Sequence, residues 1–371
     1  MWSKHALLCP GSGKCFRLEQ LDHVAKILLR STEPYLKYWK PLMKPRVTVI
    51  VLGGTITMMP QAGGGISPSV NGDDLVKQVP QLAVIANLDV VTPFLLPGAS
   101  LTFANIATVS GIIREAQQNG ADGVVVVQGT DTIEETAFLF DLAFEKSNEV
   151  PAIVVTGAMR GAAAPGTDGS ANLLAAVTVA ASPLARGRGV LVVSNDEAHA
   201  ACFVQKTDTG LPSAFTSPGL GPCGTVTEGQ FRIRMIPNVP PLQILSPKDA
   251  LPVAIIPTGL GDDGRMLDAV AEAGFHGAVI AAMGAGHVPE QIVSKLETLS
   301  TVMPVVLATR VLGGAVFTNS YGFPGSEIDL ISRGLIPAGV LPPYKARLLL
   351  ACLLGAGVSH QALIERFRAF A

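Results

Sequence analysis

Apolar runs alternate with polar breaks along this chain, in a rhythm that predicts strands followed by helices. The clearest unit is residues 123–143, in which positions 124–127 are four consecutive valines. A run that is apolar at every position is typical of a strand buried on both faces of a parallel sheet. The run stops at Gln128, and a helical period follows. Thr130 and Asp131 therefore fall at the carboxyl end of a buried strand, where open α/β sheets bind their ligands.

The same polar residues also fit a simpler interpretation, the ordinary start of a helix. Thr132 and Glu135 have the spacing of a capping box, and Glu134 adds a second acidic residue to the first turn. By pattern alone, a pair of caps and a ligand site are about equally good explanations of this segment.

The strand–helix rhythm occurs in two blocks, and it predicts an α/β protein with a larger N-terminal parallel-sheet domain and a smaller C-terminal α/β domain. Predicted strands of the first block, residues 45–235, lie at 47–52, 84–92, 123–127, 152–156 and 189–194, and strands and turns fill 203–235. The second block, residues 253–371, has predicted strands at 253–257, 277–283 and 304–309. Residues 236–252 between the blocks carry five prolines and no clear period, so we expect a linker.

Residues 1–44 lack this rhythm, although they contain both tryptophans of the chain. A clean start occurs at Met43, just before the first predicted strand. We expect an N-terminal extension outside the domain, either a loosely attached segment or the product of an over-long gene start. Mass spectrometry of the natively expressed protein distinguishes the two.

Composition narrows the function classes. Of the 371 residues, 48% are hydrophobic and 15% are charged, which excludes a disordered chain, and the net charge of −2 favours neither nucleic acid nor an anionic membrane. Five scattered cysteines and six histidines show no metal-ligand spacing, so we expect no metal, cofactor or disulfide framework. The apolar run 348–358 is too short to span a bilayer. No secretory signal is apparent, so we expect a cytoplasmic protein with a small-molecule substrate.

Two predicted strands end in a similar motif, Gly-Gly-Thr55 and Gly-Thr130-Asp131. Glycine lets other backbone approach closely, and a threonine hydroxyl beside free N–H groups suits a nucleophile with an oxyanion-stabilising backbone. A threonine hydroxyl needs a base or a nearby cation, and Lys206 is the candidate. By spacing alone, a solvated ion pair is the commoner interpretation of Lys206. The glycine-rich stretch 61–68 is a candidate for a loop that closes over a pocket.

Taken in order, these motifs resemble those of the bacterial-type L-asparaginase/glutaminase family of threonine amidohydrolases. The resemblance covers the chain from about residue 46 to the C-terminus. Its motifs are GGTI at 53–56, QGTDTIEETA at 128–137, TGAMR at 156–160, DG at 168–169, NL at 172–173, GVLVV at 189–193, VQKT at 204–207 and YGF at 321–323.

The resemblance implies an L-asparagine amidohydrolase that releases ammonia and aspartate through a threonine acyl-enzyme, with glutamine as a second candidate substrate. It implies that Thr55 is the nucleophile and that Thr130, Asp131 and Lys206 form the second catalytic group. The substrate-binding residues that it implies are Gly54, Gly98, Ser100, Gly129, Thr130 and Asp131. It also implies a homodimer or homotetramer in which subunits share active sites.

Three departures from the family pattern motivate an alternative, a non-catalytic protein that binds a small amino acid. Gln128 stands where the family commonly has histidine. No tyrosine lies between Tyr38 and Tyr321, so the loop tyrosine of the family is missing. Strict register places Gly98 at the family's carboxylate-binding serine, and Ser100 is a shifted candidate. A third possibility, an amidase subunit that feeds ammonia to a partner, ranks low because residues 1–44 are too short to be the extra domain expected there.

Other polar residues are expected to be structural. Asp262, Asp263 and Glu327 lie near the region through which relatives complete a neighbour's site, yet surface charge is the commoner role for each. We expect His287 to be a loop histidine and not a ligand, and Cys202 to be a small buried filler.

Overall fold

The computed structural model describes residues 44–60, 63, 66–68, 70–238 and 245–371. Pro45–Ala371 forms one compact unit. The predicted N-terminal extension, most of the glycine-rich stretch 61–68 and residues 239–244 of the predicted linker lie outside the described residues.

The strands of the described residues are, in chain order, β1 (Arg46–Val51), β2 (Met58–Pro60), β3 (Ile66–Pro68), β4 (Asn87–Val91), β5 (Gly123–Val127), β6 (Ala152–Thr156), β7 (Leu191–Ser194), β8 (Glu197–Ala200), β9 (Gln205–Lys206), β10 (Phe215–Thr216), β11 (Gly224–Thr227), β12 (Gln230–Ile233), β13 (Val253–Pro257), β14 (Gly277–Ala282), β15 (Val305–Thr309) and β16 (Ile336–Pro337). The α-helices there are α1 (Gly72–Lys77), α2 (Leu82–Ile85), α3 (Phe103–Gln118), α4 (Ile133–Ala143), α5 (Gly169–Ala181), α6 (Arg265–Glu272), α7 (Val293–Val302), α8 (Glu327–Ser332), α9 (Pro343–Gly355) and α10 (His360–Arg368). Short 3₁₀ turns occur at Thr55–Thr57, Gly98–Ser100, Thr130–Thr132, Pro183–Ala185, Pro247–Asp249 and Glu290–Ile292.

The larger sheet has the order β12-β11-β8-β7-β6-β5-β1-β4 among the described strands. The strands from β7 to β4 pair in parallel, whereas β8, β11 and β12 extend the sheet antiparallel at one edge. The predicted larger N-terminal α/β domain is therefore confirmed, with an antiparallel edge that the apolar pattern alone did not indicate. The chain leaves β1 toward β4 and returns to β5 on its other side, which makes the β1–β5 edge the switch point of the sheet.

The valine run 124–127 is buried on both faces of this sheet, as predicted. Val124 and Val126 pack in one apolar core with α3, α4 and α9, whereas Val125 and Val127 pack in another with α1, α2 and α5. Because strand side chains alternate between faces, one continuous valine run supplies both cores.

The smaller C-terminal sheet, among the described residues, has four parallel strands in the order β13-β14-β15-β16. The pattern predicted three of them and missed β16, whose two residues are too short to give a period. Helix α9 packs on this sheet and on α4, so its leucines belong to the same apolar core as Val124 and Val126. One helix thus joins the two domains through a shared core.

Most predicted elements lie within a few residues of the observed ones. The predicted strand at 84–92 is wrong at its start, because Leu82–Ile85 is a helical turn and the strand begins at Asn87. Within the described residues, no helix is long and apolar enough to cross a membrane.

Candidate active site

The candidate site lies where three neighbouring strands end at one edge of the larger sheet. β1 is paired in parallel with both β4 and β5, so the loops after their carboxyl ends are adjacent. The loop after β1 carries Thr55, the loop after β5 carries Thr130 and Asp131, and the segment after β4 carries Gly98. The fold therefore brings together motifs that are about 40 and 75 residues apart in the chain.

These loops are in direct backbone contact, and glycine makes that contact possible. Gly54 has a φ of 87°, and a Cβ on it would lie 2.2 Å from the backbone nitrogen of Gly129. A Cβ on Gly98 would lie 2.7 Å from the carbonyl oxygen of Gly129, and a Cβ on Gly129 would lie 2.5 Å from the nitrogen of Gly98. The three predicted substrate-binding glycines thus form one packed backbone cluster, which no side chain can enter.

The three polar residues that the motifs predicted to act together, Thr130, Asp131 and Lys206, are joined by hydrogen bonds. The Lys206 Nζ donates to Thr130 Oγ1 at 2.9 Å and to Asp131 Oδ1 at 3.0 Å. The Thr130 residue is buried, whereas the Asp131 side chain is 62% exposed. Lys206 does form an ion pair with an exposed aspartate, but it also binds the buried Thr130 hydroxyl, which a simple solvated ion pair would not do. An ammonium at hydrogen-bond distance favours the ionised form of a hydroxyl, and the exposed carboxylate can bind a cation that arrives from solvent.

Thr55 begins a 3₁₀ turn that is stabilised by hydrogen bonds from Thr57 and by the packing of Ile56. The backbone N–H and the hydroxyl of Thr57 both donate to the carbonyl of Gly54, at 2.9 and 2.8 Å. Ile56 is buried against Gly169, where a Cβ would lie 2.8 Å from the Ile56 side chain. Thr55 itself is only partly buried, and within the described residues its hydroxyl has no hydrogen-bond partner.

A buried carboxylate holds the loop after β6 against the start of α5, the helix that Ile56 contacts. Asp168 accepts from the backbone N–H groups of Met159 and Arg160, each at 2.9 Å, and from the Asn172 amide at 3.0 Å. The same Asn172 amide donates to the Gly157 carbonyl, also at 2.9 Å. The motif resemblance included Asp168 and Asn172, but the sequence assigned them no role. Their role is to position the backbone beside α5, on which Ile56 rests.

Thr132 occupies the N-cap position of α4, but the capping box that its spacing predicted does not form. Its hydroxyl donates to the carbonyl of Gly98 at 3.0 Å and accepts from Gln128 Nε2 at 3.2 Å, and it caps no helical N–H. Gln128 is fully buried, and its amide also donates to the Gly129 carbonyl at 3.3 Å. The residue that departs from the family pattern therefore ties the glycine cluster together.

The C-terminal domain places one predicted surface charge in its interior. Glu327 is fully buried, so its assignment as surface charge is wrong. It accepts from the backbone N–H groups of Ser320 and Tyr321 at 2.9 and 2.7 Å and contacts His287 Nε2 at 3.1 Å. Burial raises the pKa of Glu327, but these donors outweigh burial, and the pKa lies below its ordinary value. His287 is a loop histidine, as expected, and Asp263 is an exposed partner of Arg265.

Cys202 is buried, and burial raises the pKa of its thiol to about 12. The thiol therefore stays protonated and unreactive near neutral pH, in agreement with the predicted filler role. No group of three metal-ligating side chains occurs among the residues with a described position.

The geometry thus unites Thr130, Asp131 and Lys206 through hydrogen bonds and places Gly54, Gly98 and Gly129 in contact. Thr55 lies next to that cluster in the chain, and Ser100 is exposed two residues after Gly98. A partly exposed threonine, a lysine-bound threonine and an open carboxylate are suited to acyl transfer on a small ammonium-bearing amide.

Comparison with protein-family models gives two matches that together span most of the chain. Residues 46–238 match the model described as "Asparaginase, N-terminal", and residues 252–367 match the "Glutaminase/Asparaginase C-terminal domain". The chain belongs to the asparaginase family. The predicted family and the prediction of an amide-hydrolysing enzyme are therefore confirmed.

Individual relatives extend over nearly the whole asparaginase domain pair. A probable L-asparaginase from Deinococcus radiodurans is 35% identical over 333 residues, which are 88% of this chain and 98% of that protein. A probable periplasmic L-asparaginase from Haemophilus influenzae is 32% identical over 342 residues, which are 88% of this chain and 93% of that protein. The crystal structure of a probable cytoplasmic L-asparaginase from Campylobacter jejuni superposes with a TM-score of 0.78 at 29% identity, covering 88% of this chain and 99% of that one.

We predict that Gly54→Ala is strongly destabilising. The added methyl would overlap the Gly129 backbone and impose a positive φ on alanine, so the free energy of unfolding should fall by about 3 kcal/mol. The matched control is Gly111→Ala in the middle of α3, where a Cβ meets nothing within 4 Å. Gly111→Ala should raise the free energy of unfolding by about 0.5–1 kcal/mol. Denaturant unfolding measures both, and equal midpoints for the two variants would contradict the packed-backbone interpretation.

Proposed function

We propose that this asparaginase hydrolyses L-asparagine to aspartate and ammonia through a threonine acyl-enzyme. The observation that carries the proposal is the Lys206 ammonium, which lies within 3.0 Å of both Thr130 Oγ1 and Asp131 Oδ1 beside the loop of Thr55. The description of the matching C-terminal model includes glutaminases, which supports glutamine as a second substrate.

In the first half-reaction, Thr55 Oγ1 attacks the side-chain amide carbon of the substrate. The hydroxyl proton passes to the leaving nitrogen, the C–N bond breaks, and ammonia departs with an ester left on Thr55. In the second half-reaction, Thr130 Oγ1 accepts a proton from the attacking water and passes its own hydroxyl proton on to Thr55, while Lys206 stabilises the negative charge that develops on Thr130. The water oxygen then bonds to the acyl carbon, the ester bond breaks, and Thr55 recovers its proton as aspartate leaves.

Substrate recognition uses the charges and the glycines of the site. Asp131 binds the α-ammonium as a charge-assisted partner, and its exposed carboxylate is open to solvent for that purpose. The N–H of Thr130 is the oxyanion donor. Gly54, Gly98 and Gly129 bring backbone close to the substrate, and Gly98 together with Ser100 forms the α-carboxylate side of the pocket.

Replacement of Thr55, Thr130 or Lys206 is expected to abolish ammonia release with the fold intact. Thr55→Ala, Thr130→Ala and Lys206→Met should each lower kcat for asparagine by on the order of 10³-fold or more, because each removes a group on which a chemical step depends. A coupled ammonia assay with asparagine and with glutamine gives the rates, and circular dichroism shows that the variants fold.

Full turnover by Thr55→Ala or Thr130→Ala would overturn the threonine mechanism. A wild-type protein that aspartate or asparagine stabilises against heat without releasing ammonia would instead favour the amino-acid-binding alternative.

We also propose that a second copy of the chain completes the site in a homodimer or homotetramer. The carboxylate of Asp131 is open in the single chain. On the C-terminal domain, Phe317, Tyr321 and Phe323 are 46%, 44% and 47% exposed and form an aromatic patch around His287. Exposed aromatic side chains in one patch are typical of a subunit interface.

Light scattering coupled to gel filtration should give a mass of at least twice that of the chain. Phe317→Ser combined with Phe323→Ser should shift the protein toward monomer and lower its activity, because apolar contact area is lost. A fully active monomer would contradict the proposal that two subunits share each active site.

We propose a cytoplasmic location, supported by the Campylobacter jejuni relative that is named cytoplasmic. The Haemophilus influenzae relative is named periplasmic, so cell fractionation of the native host is the decisive measurement. Recovery in the periplasmic fraction would refute the proposal.

A further inference from the structure

Lys345 is a lysine in an unusual place, because its side chain is completely buried. It lies in the first turn of α9, the helix that joins the two domains, where the helix dipole disfavours a cation. Burial lowers the pKa of Lys345 to about 8, while the surrounding Cys202, Glu134, Asp141 and Glu135 act in the opposite direction. A buried ammonium in such a position costs stability unless its hydrogen bonds compensate for the loss of water.

The partners of Lys345 are backbone carbonyls of the larger domain. Its Nζ donates to the carbonyl oxygen of Ala201 at 2.7 Å and to that of Val204. Both carbonyls belong to the turn after β8, which is closed by the N–H groups of Phe203 and Val204 on the carbonyl of Ala200. The ammonium therefore binds the buried side of the turn and fixes the conformation of its backbone.

That turn leads directly to the catalytic lysine, since Lys206 is two residues beyond Val204. Lys206 belongs to β9, a strand of only two residues that pairs with the equally short β10 and lies outside the larger sheet. So short a strand has few ladder hydrogen bonds to hold it. The position of Lys206 consequently depends on contacts from other elements.

One further hydrogen bond holds the same strand. Gln205 Nε2 donates to the carbonyl of Leu312 in the C-terminal domain at 2.9 Å. Burial raises the pKa of the Glu134 carboxyl at the start of α4, and Lys345 together with the backbone N–H of Lys206 opposes that rise. Both lysines thus act on the Glu134 carboxyl electrostatically.

We propose that Lys345 is a positioning residue for the amide hydrolysis, through which the C-terminal domain sets the location of Lys206 against Thr130 within the same chain. The proposal rests on the proposed role of Lys206 in catalysis. Sequence reasoning missed Lys345, although a lone lysine in the apolar helix 344–354 was a usable signal.

The test compares Lys345→Met, whose side chain is one atom shorter than lysine and has no donor, with Lys345→Gln, which has as many chain atoms as methionine and keeps an N–H donor for one carbonyl. The matched control is Lys295→Met, because Lys295 lies on α7 of the same domain in an exposed pair with Asp268. A displacement of about 1 Å in a catalytic group can cost about 10²-fold in rate. We therefore expect kcat to fall by about 10- to 100-fold in Lys345→Met and less in Lys345→Gln, with KM changed by no more than about twofold. Lys295→Met should leave both constants unchanged.

A double-mutant cycle separates positioning from general stability. Adding Lys345→Met to Lys206→Met should lower the melting temperature further but leave the residual kcat unchanged, since the residue to be positioned is gone. An independent, additive loss of kcat in the double variant would overturn the proposal. So would a folded Lys345→Met with wild-type kcat.

The outcome remains decisive if Lys345→Met does not fold, because the less disruptive Lys345→Gln then carries the test, and wild-type kcat in that variant would refute the proposal. Failure of the underlying mechanism gives a different result, namely full activity of Lys206→Met itself.

Discussion

The contact between the ends of β1 and β5 is the constraint on which the rest of this structure depends. Two buried parallel strands deliver their loops to one edge of the sheet, and Gly54 and Gly129 let the two backbones touch where any Cβ would overlap. That contact sets the separation of the two threonine motifs. Gln128 and Thr132 then hold Gly98 onto the same cluster, so three loops act as one rigid support for the site.

Lys206, the proposed catalytic lysine, is positioned differently from the two threonines. Thr55 and Thr130 follow strands of six and five residues that are buried apart from Arg46, whereas Lys206 lies on a two-residue strand outside the main sheet. Lys345 binds the turn before this strand, and Gln205 on the strand donates to the carbonyl of Leu312, so both contacts involve the C-terminal domain. The smaller domain thereby contacts the segment that leads to Lys206, through a buried ammonium that binds two carbonyls. The proposed positioning role gives a reason for a charge at a position where an apolar side chain would incur no desolvation cost.

Much of the fold and part of the site could be predicted from the chain alone. The valine run at 124–127 indicated a strand buried on both faces, because no other common element requires apolar residues at every position of so short a segment. Motif order selected Thr55, Thr130, Asp131 and Lys206 as candidates, and the structure brings the last three together through hydrogen bonds. Local spacing failed at Thr132, where a hydrogen bond to Gly98, 34 residues distant in sequence, replaced the predicted cap. It failed again at Glu327, since nothing near a carboxylate in the sequence shows that three donors will gather around it.

The sequence by itself determined the two α/β domains, the strand ends that carry the chemistry and the residue types available there, because these follow from apolar periodicity and short motifs. Only the tertiary structure decided which loops touch, that Lys206 reaches both Thr130 and Asp131, and that Lys345 and Glu327 are buried. Each of these depends on residues tens to hundreds of positions apart in the chain. Their proximity is a consequence of sheet order and domain packing, which no local pattern encodes.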